Sequence, residues 1–171
     1  MRRHDDPVRM RRGADPDTSR TQPHTLPAST HSYLLRAAES LSEAVTARDV
    51  ATRYACAHVA ALQAAAALLA ARARPTPTRG RRQPNAWVLL TQVAPEMTEW
   101  ATFFAAGAAK RAAAQAGSTR AVSEREADDL VRDADRFLAV VEGALGLVPH
   151  ARLDRRLAAA ASARAGHSGV A

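Results

Sequence analysis

Apolar residues recur at spacings of three and four along several stretches of the chain, which is the pattern of amphipathic helices. The clearest helix start is Ser123 to Glu126, where a serine cap is followed three residues later by a glutamate. No stretch of useful length alternates between apolar and polar residues as a half-buried strand does. The chain is therefore predicted to be all-α, an up-and-down bundle of four main helices. We place these helices at residues 30–47, 49–73, 95–115 and 124–145, with a short helix between residues 85 and 94.

Proline and glycine mark the breaks between these helices. Residues 74–84 contain three Pro, one Gly and mutually repelling Arg side chains, so they should separate two helical hairpins. A further break is predicted near Pro95, which ends the short helix and opens the next one, because proline is tolerated at a first helical position. Gly117 is the expected stop of that helix. Ser29 or Thr30 is the expected cap of the first helix.

The chain has 171 residues, which suits a single domain with tails. Residues 1–29 are rich in Arg, Asp and Pro without apolar periodicity, so a disordered tail is predicted. Residues 30–147 form the predicted helical bundle domain, and residues 148–171 a flexible or partly helical tail. A single cysteine, Cys56, excludes an internal disulfide and a Cys-rich metal site, and indicates a reducing, cytoplasmic setting.

The formal net charge of +7 lies mainly outside the predicted helices. Residues 72–82 alone contribute five Arg, whereas residues 124–146 carry seven acids against three Arg. Charge in linkers and tails is screened by salt, so it is a weak indication of nucleic-acid binding. Residues 54–71 lack a formal charge but include ten Ala, too weakly apolar for a membrane span. No membrane association is predicted.

Histidine is the natural candidate for acid–base chemistry, and His58 lies on the apolar stripe of the second helix. Arg53 and His58 have an Arg-x4-His spacing, and in metal-free nucleases Arg stabilises phosphate charge while His transfers a proton. On a straight helix the two side chains lie about 140° apart, so they converge only with a kink or across a two-fold interface. The other histidines are expected on the solvated surface: His4, His24, His31, His150 and His167.

Other classes of site lack their residues in this sequence. No Gly-rich phosphate loop, His-x3-His pair or Glu-x2-His pair is present, so no cofactor and no metal are predicted. Cys56 is expected to be a buried, inert thiol. The acids of the last helix are expected to form a solvated face: Asp128, Asp129, Asp133 and Asp135. Three aromatic residues are expected to pack in a core seam or a dimer seam: Trp100, Phe103 and Phe104.

Residues spread over about 30–147 resemble a known family, most specifically between 100 and 111. They are Tyr54, Ala57, His58, Ala60, Ala61, Leu62, Trp87, Leu90, Pro95, Glu96, Trp100, Ala101, Phe103 to Ala108, Arg111 to Ala113, and Glu126 to Leu138. With these residues the chain is similar to a small actinobacterial family within the HEPN superfamily of helical domains.

The resemblance implies a four- to five-helix bundle that is commonly a homodimer. Some members of the superfamily are RNases or toxins that use an Arg-x4-6-His motif at the dimer interface, and others bind without catalysis. Here no Arg after Arg53 is followed by a His at that spacing. This favours a non-catalytic dimerising module that binds a partner protein, RNA or a nucleotide. The alternative is a metal-independent, toxin-like RNase with Arg53 and His58 as its catalytic pair across a dimer interface.

Overall fold

The computed structural model describes residues 25–73, 85–118, 120–153 and 155, and every regular element in these ranges is a helix. This confirms the all-α bundle. The predicted linker 74–84 lies outside the described residues, and so do residues 1–24 of the predicted N-terminal tail and residues 154 and 156–171 of the predicted C-terminal tail. The elements are α1 (Ala28–Thr46), α2 (Val50–Arg72), α3 (Ala86–Val93), a one-turn 3-10 helix (Pro95–Met97), α4 (Thr98–Ala106), α5 (Ala108–Gln115) and α6 (Glu124–Ala144).

The central helix of the bundle is α2, and α1, α3, α5 and α6 all pack against it. It begins after Asp49, whose carboxylate accepts a hydrogen bond of 2.7 Å from the backbone N–H of Thr52. Small side chains on α2 allow the neighbouring helices to approach closely. Its buried alanines are Ala55, Ala57, Ala60, Ala61, Ala64, Ala65 and Ala67.

By length and composition alone, α2 is also apolar enough to cross a membrane. However, half of its most apolar window is buried inside the bundle, as in the core helix of a soluble protein. The helix also contains a buried histidine, His58, that bonds to another helix. We therefore describe α2 as the core helix of this domain.

The last helix, α6, begins as predicted at a capping box. The Ser123 side chain accepts from the Glu126 N–H at 3.3 Å, and the Glu126 carboxylate accepts from the Ser123 N–H at 2.8 Å. The predicted apolar stripe of α6 faces the core. Its buried members are Leu130, Ala134, Phe137, Leu138 and Val141.

The start of α1 differs from the prediction. The helix begins at Ala28 after Pro27, and no side chain caps it. The Pro27 carbonyl accepts a hydrogen bond of 2.9 Å from the N–H of Thr30. Because Thr30 lies inside the first turn and is fully buried, its hydroxyl is not in the position of an N-cap.

The predicted helix 95–115 is divided. Pro95 opens a single 3-10 turn, and the α-helix that follows is interrupted at Gly107, between α4 and α5. At the interruption the carbonyl of Phe104 accepts the N–H of Gly107 at 3.1 Å, a tighter pairing than the α-helical one. This break brings the Phe104 carbonyl within reach of a side chain from α2.

The core between α3, α4 and α6 is aromatic. Phe104 is fully buried and stacks on Trp87, with ring centroids 5.4 Å apart. Phe137 packs against it from α6 at 5.3 Å, and Trp100 stacks on it at 6.0 Å. Aromatic pairs at these separations add to the stabilisation from burial itself. Phe104 thus lies at the centre of the cluster that holds α3, α4 and α6 together.

Candidate functional site

His58 is fully buried, and its ring joins α2 to α4. Its Nε2–H donates a hydrogen bond of 2.9 Å to the carbonyl oxygen of Phe104. Because a carbonyl only accepts, Nε2 carries the proton, and Nδ1 of the neutral ring holds a lone pair. Nδ1 has no hydrogen-bond partner among the residues that the structure describes. The ring lies edge-on to Trp87 and to Phe104, with centroids 6.1 Å away in both cases.

The electrostatics of this position keep His58 neutral. Burial lowers the pKa of His58, and the positive charge of Arg111 acts in the same direction. The hydrogen bond to Phe104 opposes these effects without cancelling them, so the pKa stays below its ordinary value. A neutral ring sealed from solvent holds two helices together but is poorly placed to exchange protons with a substrate.

Gly107 lies directly over this histidine, at the break between α4 and α5. A Cβ at Gly107 would lie 2.9 Å from the Tyr54 hydroxyl and 3.4 Å from the nearest atom of the His58 ring. Its backbone φ is −77°, which any residue adopts, so the constraint is space rather than backbone conformation. The missing side chain is what allows α2 to approach the break.

Replacing Gly107 with alanine is expected to lower the free energy of unfolding by about 1 kcal/mol. Overpacking costs about 1–3 kcal/mol and outweighs the small gain in helix propensity. The double variant Gly107→Ala/Tyr54→Phe, which removes the conflicting hydroxyl, should recover most of this loss relative to Tyr54→Phe alone. Urea denaturation measures all four proteins. An equal loss in both backgrounds would contradict the steric explanation.

The other predicted catalytic residue, Arg53, bonds to a different part of the bundle. Its guanidinium donates to the Asp128 carboxylate at 2.5 Å and to the Ala47 carbonyl at 3.2 Å. Glu124 lies 3.9 Å away as a second acid. Arg53 therefore joins the start of α2 to the first turns of α6.

The structure does not bring Arg53 and His58 to one site within the chain. His58 bonds to α4 in the core, and Arg53 bonds to α6 near the surface. A catalytic role would require the Arg53 guanidinium to leave Asp128 and the fully buried His58 ring to become accessible to a substrate. Their pairing across a dimer interface stays a prediction.

A cleft of about 760 Å³ lies between the α4–α5 break and α6. We call it the α4–α6 cleft. Tyr54, Phe103 and Gly107 are among its lining residues, and Tyr54 is almost fully buried. Burial raises the pKa of the Tyr54 phenol, so the hydroxyl stays protonated in the neutral range.

The charged residues that line the α4–α6 cleft are paired with one another. A hydrogen bond from Lys110 and further bonds from Ser123 lower the pKa of Glu126 to about 2, so this carboxylate is charged at neutral pH. The cleft contains three bases and three acids, and its local charge is balanced. The pairs are Lys110 with Glu126, Arg132 with Asp129, and Arg136 with Asp133.

Phe103 is the exposed aromatic of this region, with 47% of its surface accessible. Its ring packs edge-on against Phe104 at 5.1 Å and otherwise lines the α4–α6 cleft. Phe104 is in the core seam, as predicted for the aromatic block, and Trp100 is half-buried against it. Aromatic side chains are enriched at protein–protein interfaces relative to the rest of the surface.

The family model described as HEPN_SAV_6107-like HEPN matches residues 44–142, more than half of the chain. The chain belongs to this HEPN family. No curated protein and no solved structure matches the chain significantly. The match covers α2 to α6 almost completely, so the buried His58 and the α4–α6 cleft both lie within the HEPN domain.

One carboxylate of this HEPN domain contradicts the sequence prediction. Asp135 was expected on the solvated face of the last helix, but it is only 2% exposed. The reason is that the chain after α6 folds back over it, and the His150 ring and the N–H of Leu153 both bond to its carboxylate. Periodicity within α6 carries no information about this returning segment.

His150 is likewise not the solvated residue that the sequence suggested. Its side chain is 28% exposed and lies between two acids of α6, Asp135 and Glu142. Burial alone would lower the pKa of His150, but the hydrogen bonds and charges of these carboxylates outweigh it and raise the pKa. His31 is exposed, as predicted, while His4, His24 and His167 lie outside the described residues.

Metal and thiol chemistry find no support in the described part of the HEPN domain. Within it, no group of three His, Cys, Asp or Glu side chains is arranged to hold a metal ion. Cys56 is half-buried rather than buried, and burial, followed by the charge of Glu43, raises the pKa of its thiol. The protonated thiol is a weak nucleophile.

Proposed function

We propose that this HEPN domain is a non-catalytic binding module that forms a homodimer through the surface around Phe103. We call this surface the Phe103 face and define it as Phe103 with its neighbours Glu99, Trp100 and Asp133 and the adjoining mouth of the α4–α6 cleft. The observation that carries the proposal is the exposed phenyl ring of Phe103 among paired charges. The proposed setting is the cytoplasm, where the free thiol of Cys56 stays reduced.

The anatomy of the Phe103 face supports protein–protein contact. Energetic hot spots of interfaces are large anchor side chains surrounded by polar groups that exclude water. Phe103 has this surrounding, and its ring rests on Phe104, which is held rigidly in the core. A rigid anchor loses little conformational freedom on binding, so most of its burial contributes to affinity.

The balance of charge supports a second copy of the chain as the partner. In a two-fold dimer the same surface meets itself, so each base must find an acid on an identical surface. Three bases and three acids in one cleft satisfy this condition. A polyanion such as RNA would meet as many acids as bases. The family resemblance leaves open a partner protein, RNA or a nucleotide as the ligand of the module. The charge balance of the cleft favours a partner protein as the ligand of the dimer.

The positions of the predicted catalytic residues support a role without catalysis. His58 is neutral, buried and bonded to Phe104, and the Arg53 guanidinium is bonded to Asp128. The alternative, a metal-independent RNase with Arg53 and His58 acting across a dimer, requires the Arg53 guanidinium to leave Asp128 and the buried His58 ring to become accessible. The half-buried Asp128 carboxylate would then lose its donor, and the core around His58 would have to open, both at a cost in stability.

Replacing Phe103 with glutamate is expected to weaken the homodimer by about 30-fold or more. A hot-spot loss of about 2 kcal/mol corresponds to this factor, and the substitution acts twice in a two-fold interface. Sedimentation velocity over a dilution series measures the dissociation constant. The matched control is Leu35→Glu, at an exposed leucine of α1 that is 66% accessible, and it should leave the dimer intact.

Two outcomes would overturn the proposed dimer. A wild-type chain that stays monomeric through the whole dilution series would exclude it. A dimer broken by Leu35→Glu but not by Phe103→Glu would place the contact on α1. Circular dichroism of both variants verifies that each one is folded before the comparison is made.

A further inference from the structure

The chain after α6 reverses direction and returns along the same helix. Gly146 has a φ of +74°, a left-handed conformation that favours glycine, and the N–H of Leu147 bonds back to the Glu142 carbonyl at 2.9 Å. The returning backbone then meets α6 twice. The N–H of His150 donates to Glu142 Oε2 at 2.7 Å, and the N–H of Leu153 donates to Asp135 Oδ2 at 3.1 Å.

The imidazole of His150 bridges the same two carboxylates. Nδ1 lies 2.8 Å from Glu142 Oε2, and Nε2 lies 2.9 Å from Asp135 Oδ1. Ionised carboxylates only accept, so both ring nitrogens carry protons in this arrangement, and a neutral imidazole has only one N–H. The geometry is that of an imidazolium. Because neither nitrogen has a free lone pair, His150 is neither a general base nor a metal ligand here.

After loss of this proton, the ring has only one N–H donor for the two carboxylates. One ring nitrogen would then direct a lone pair at a carboxylate oxygen. Asp135 is almost completely buried, so without the imidazolium it becomes a buried charge whose remaining hydrogen-bond donor among the described residues is the Leu153 N–H. Removing one member of a buried ion pair is strongly unfavourable.

The two carboxylates on α6 dominate the electrostatics of His150. Burial lowers the pKa of His150. The hydrogen bonds and charges of Asp135 and Glu142 raise it by more, so the net shift is upward. The α1 residues that line the adjoining groove carry no titratable group. They are Ala38, Leu41, Ser42, Val45 and Thr46. Within the returning segment itself, Arg152 adds a positive charge.

We propose that residues 148–153 form a proton-operated clasp, closed over α6 by protonated His150 and opened by its deprotonation. His150 and Leu153 line one side of a groove of about 520 Å³ between α1 and α6. Opening the clasp exposes the Asp135 carboxylate and the apolar wall that Leu138 contributes to this groove. The clasp is independent of the Phe103 face, so it stands or fails separately from the proposed dimer.

The direction of the pH effect follows from the sign of the pKa shift. Closing the clasp raises the pKa of His150, so the proton on His150 stabilises the closed state. This stabilisation is complete at pH values below the pKa of the open state, near 6.5. This stabilisation is lost as the pH rises through the pKa of the closed state. The ratio of closed to open clasp falls by about tenfold for each unit by which closure raises the pKa of His150.

Amide hydrogen exchange measured by NMR on the whole chain tests the clasp. The N–H groups of His150 and Leu153 should lose protection as the pH rises through the ring titration of His150, after correction for intrinsic base-catalysed exchange. The protection of these two N–H groups should fall about tenfold for each unit by which closure raises the measured pKa of His150. The N–H of Glu126, in the capping box, is the internal control and should keep its protection over the same range.

Two variants separate the ring proton from general effects of pH. In His150→Gln the side chain does not titrate, so protection of the Leu153 amide should no longer depend on pH. In His31→Gln, which replaces an exposed histidine, the pH dependence should persist. A His150 pKa at or below 6.5 would overturn the proposal. So would protection at residues 150 and 153 that is constant while the His150 ring titrates.

Discussion

Phe104→Ala is expected to lower the free energy of unfolding by about 3–5 kcal/mol. Phe104 is fully buried at the centre of the aromatic cluster and contacts Trp87, Trp100 and Phe137. These rings belong to three helices and cannot collapse together into the space that the phenyl group leaves. A residual cavity and lost aromatic pairs therefore add to the loss of burial. Urea denaturation followed by circular dichroism measures the change.

The neighbouring residue provides the control for this prediction. Phe103→Ala removes the same side chain one position earlier, but from an exposed site. Measured on the monomer, it should change the free energy of unfolding by less than about 1 kcal/mol. Similar losses for the two variants would contradict the assignment of Phe104 to the core and Phe103 to the surface.

His58→Ala is expected to lower the free energy of unfolding by about 2–4 kcal/mol. The variant removes a fully buried ring and the N–H that bonds to the Phe104 carbonyl. Denaturation at neutral pH measures this loss. When total RNA is incubated with the wild type or the variant, neither should cleave it. Cleavage by the wild type that disappears in His58→Ala would support the RNase alternative.

The same histidine should make the wild-type protein sensitive to acid. Burial holds the pKa of His58 below its ordinary value, so the unfolded chain takes up this proton more readily than the folded one. The contribution to stability is complete above pH of about 6.5 and is lost as the pH falls toward the pKa of the folded state. His58→Ala should lack this part of the acid sensitivity. His31→Ala, at an exposed histidine, should retain it.

The features that the sequence predicted correctly depend on residues close together in the chain. The capping box of Ser123 and Glu126 and the helical turn that begins at Pro95 each involve neighbours within one helical turn. The burial of His58 followed from its place on the apolar stripe of α2. Local periodicity is sufficient for such features because the helix itself sets the geometry.

The features that the sequence missed depend on contacts between distant segments. The break at Gly107 reflects the approach of Tyr54 and His58 from another helix. The burial of Asp135 requires a chain that returns fifteen residues later to present His150. One signal was available for the aromatic block. Phe103 and Phe104 are adjacent and project about 100° apart around the helix, so the two rings could not share one environment, although their spacing from Trp100 did not decide which of them is buried.

The seven buried alanines of α2 have a consequence for how this domain tolerates change. Where neighbouring helices lie against methyl groups, a larger side chain has no space to enter, and each added methylene pushes a helix outward. The aromatic cluster has the opposite sensitivity, because there the damage comes from losing volume. Substitutions along α2 are thus limited by the largest side-chain volume that fits, and substitutions around Phe104 by the smallest volume that still fills the core. A substitution in one region could be compensated in the other only through a residue that contacts both regions. His58 is such a residue, because it lies on α2 and packs against Phe104.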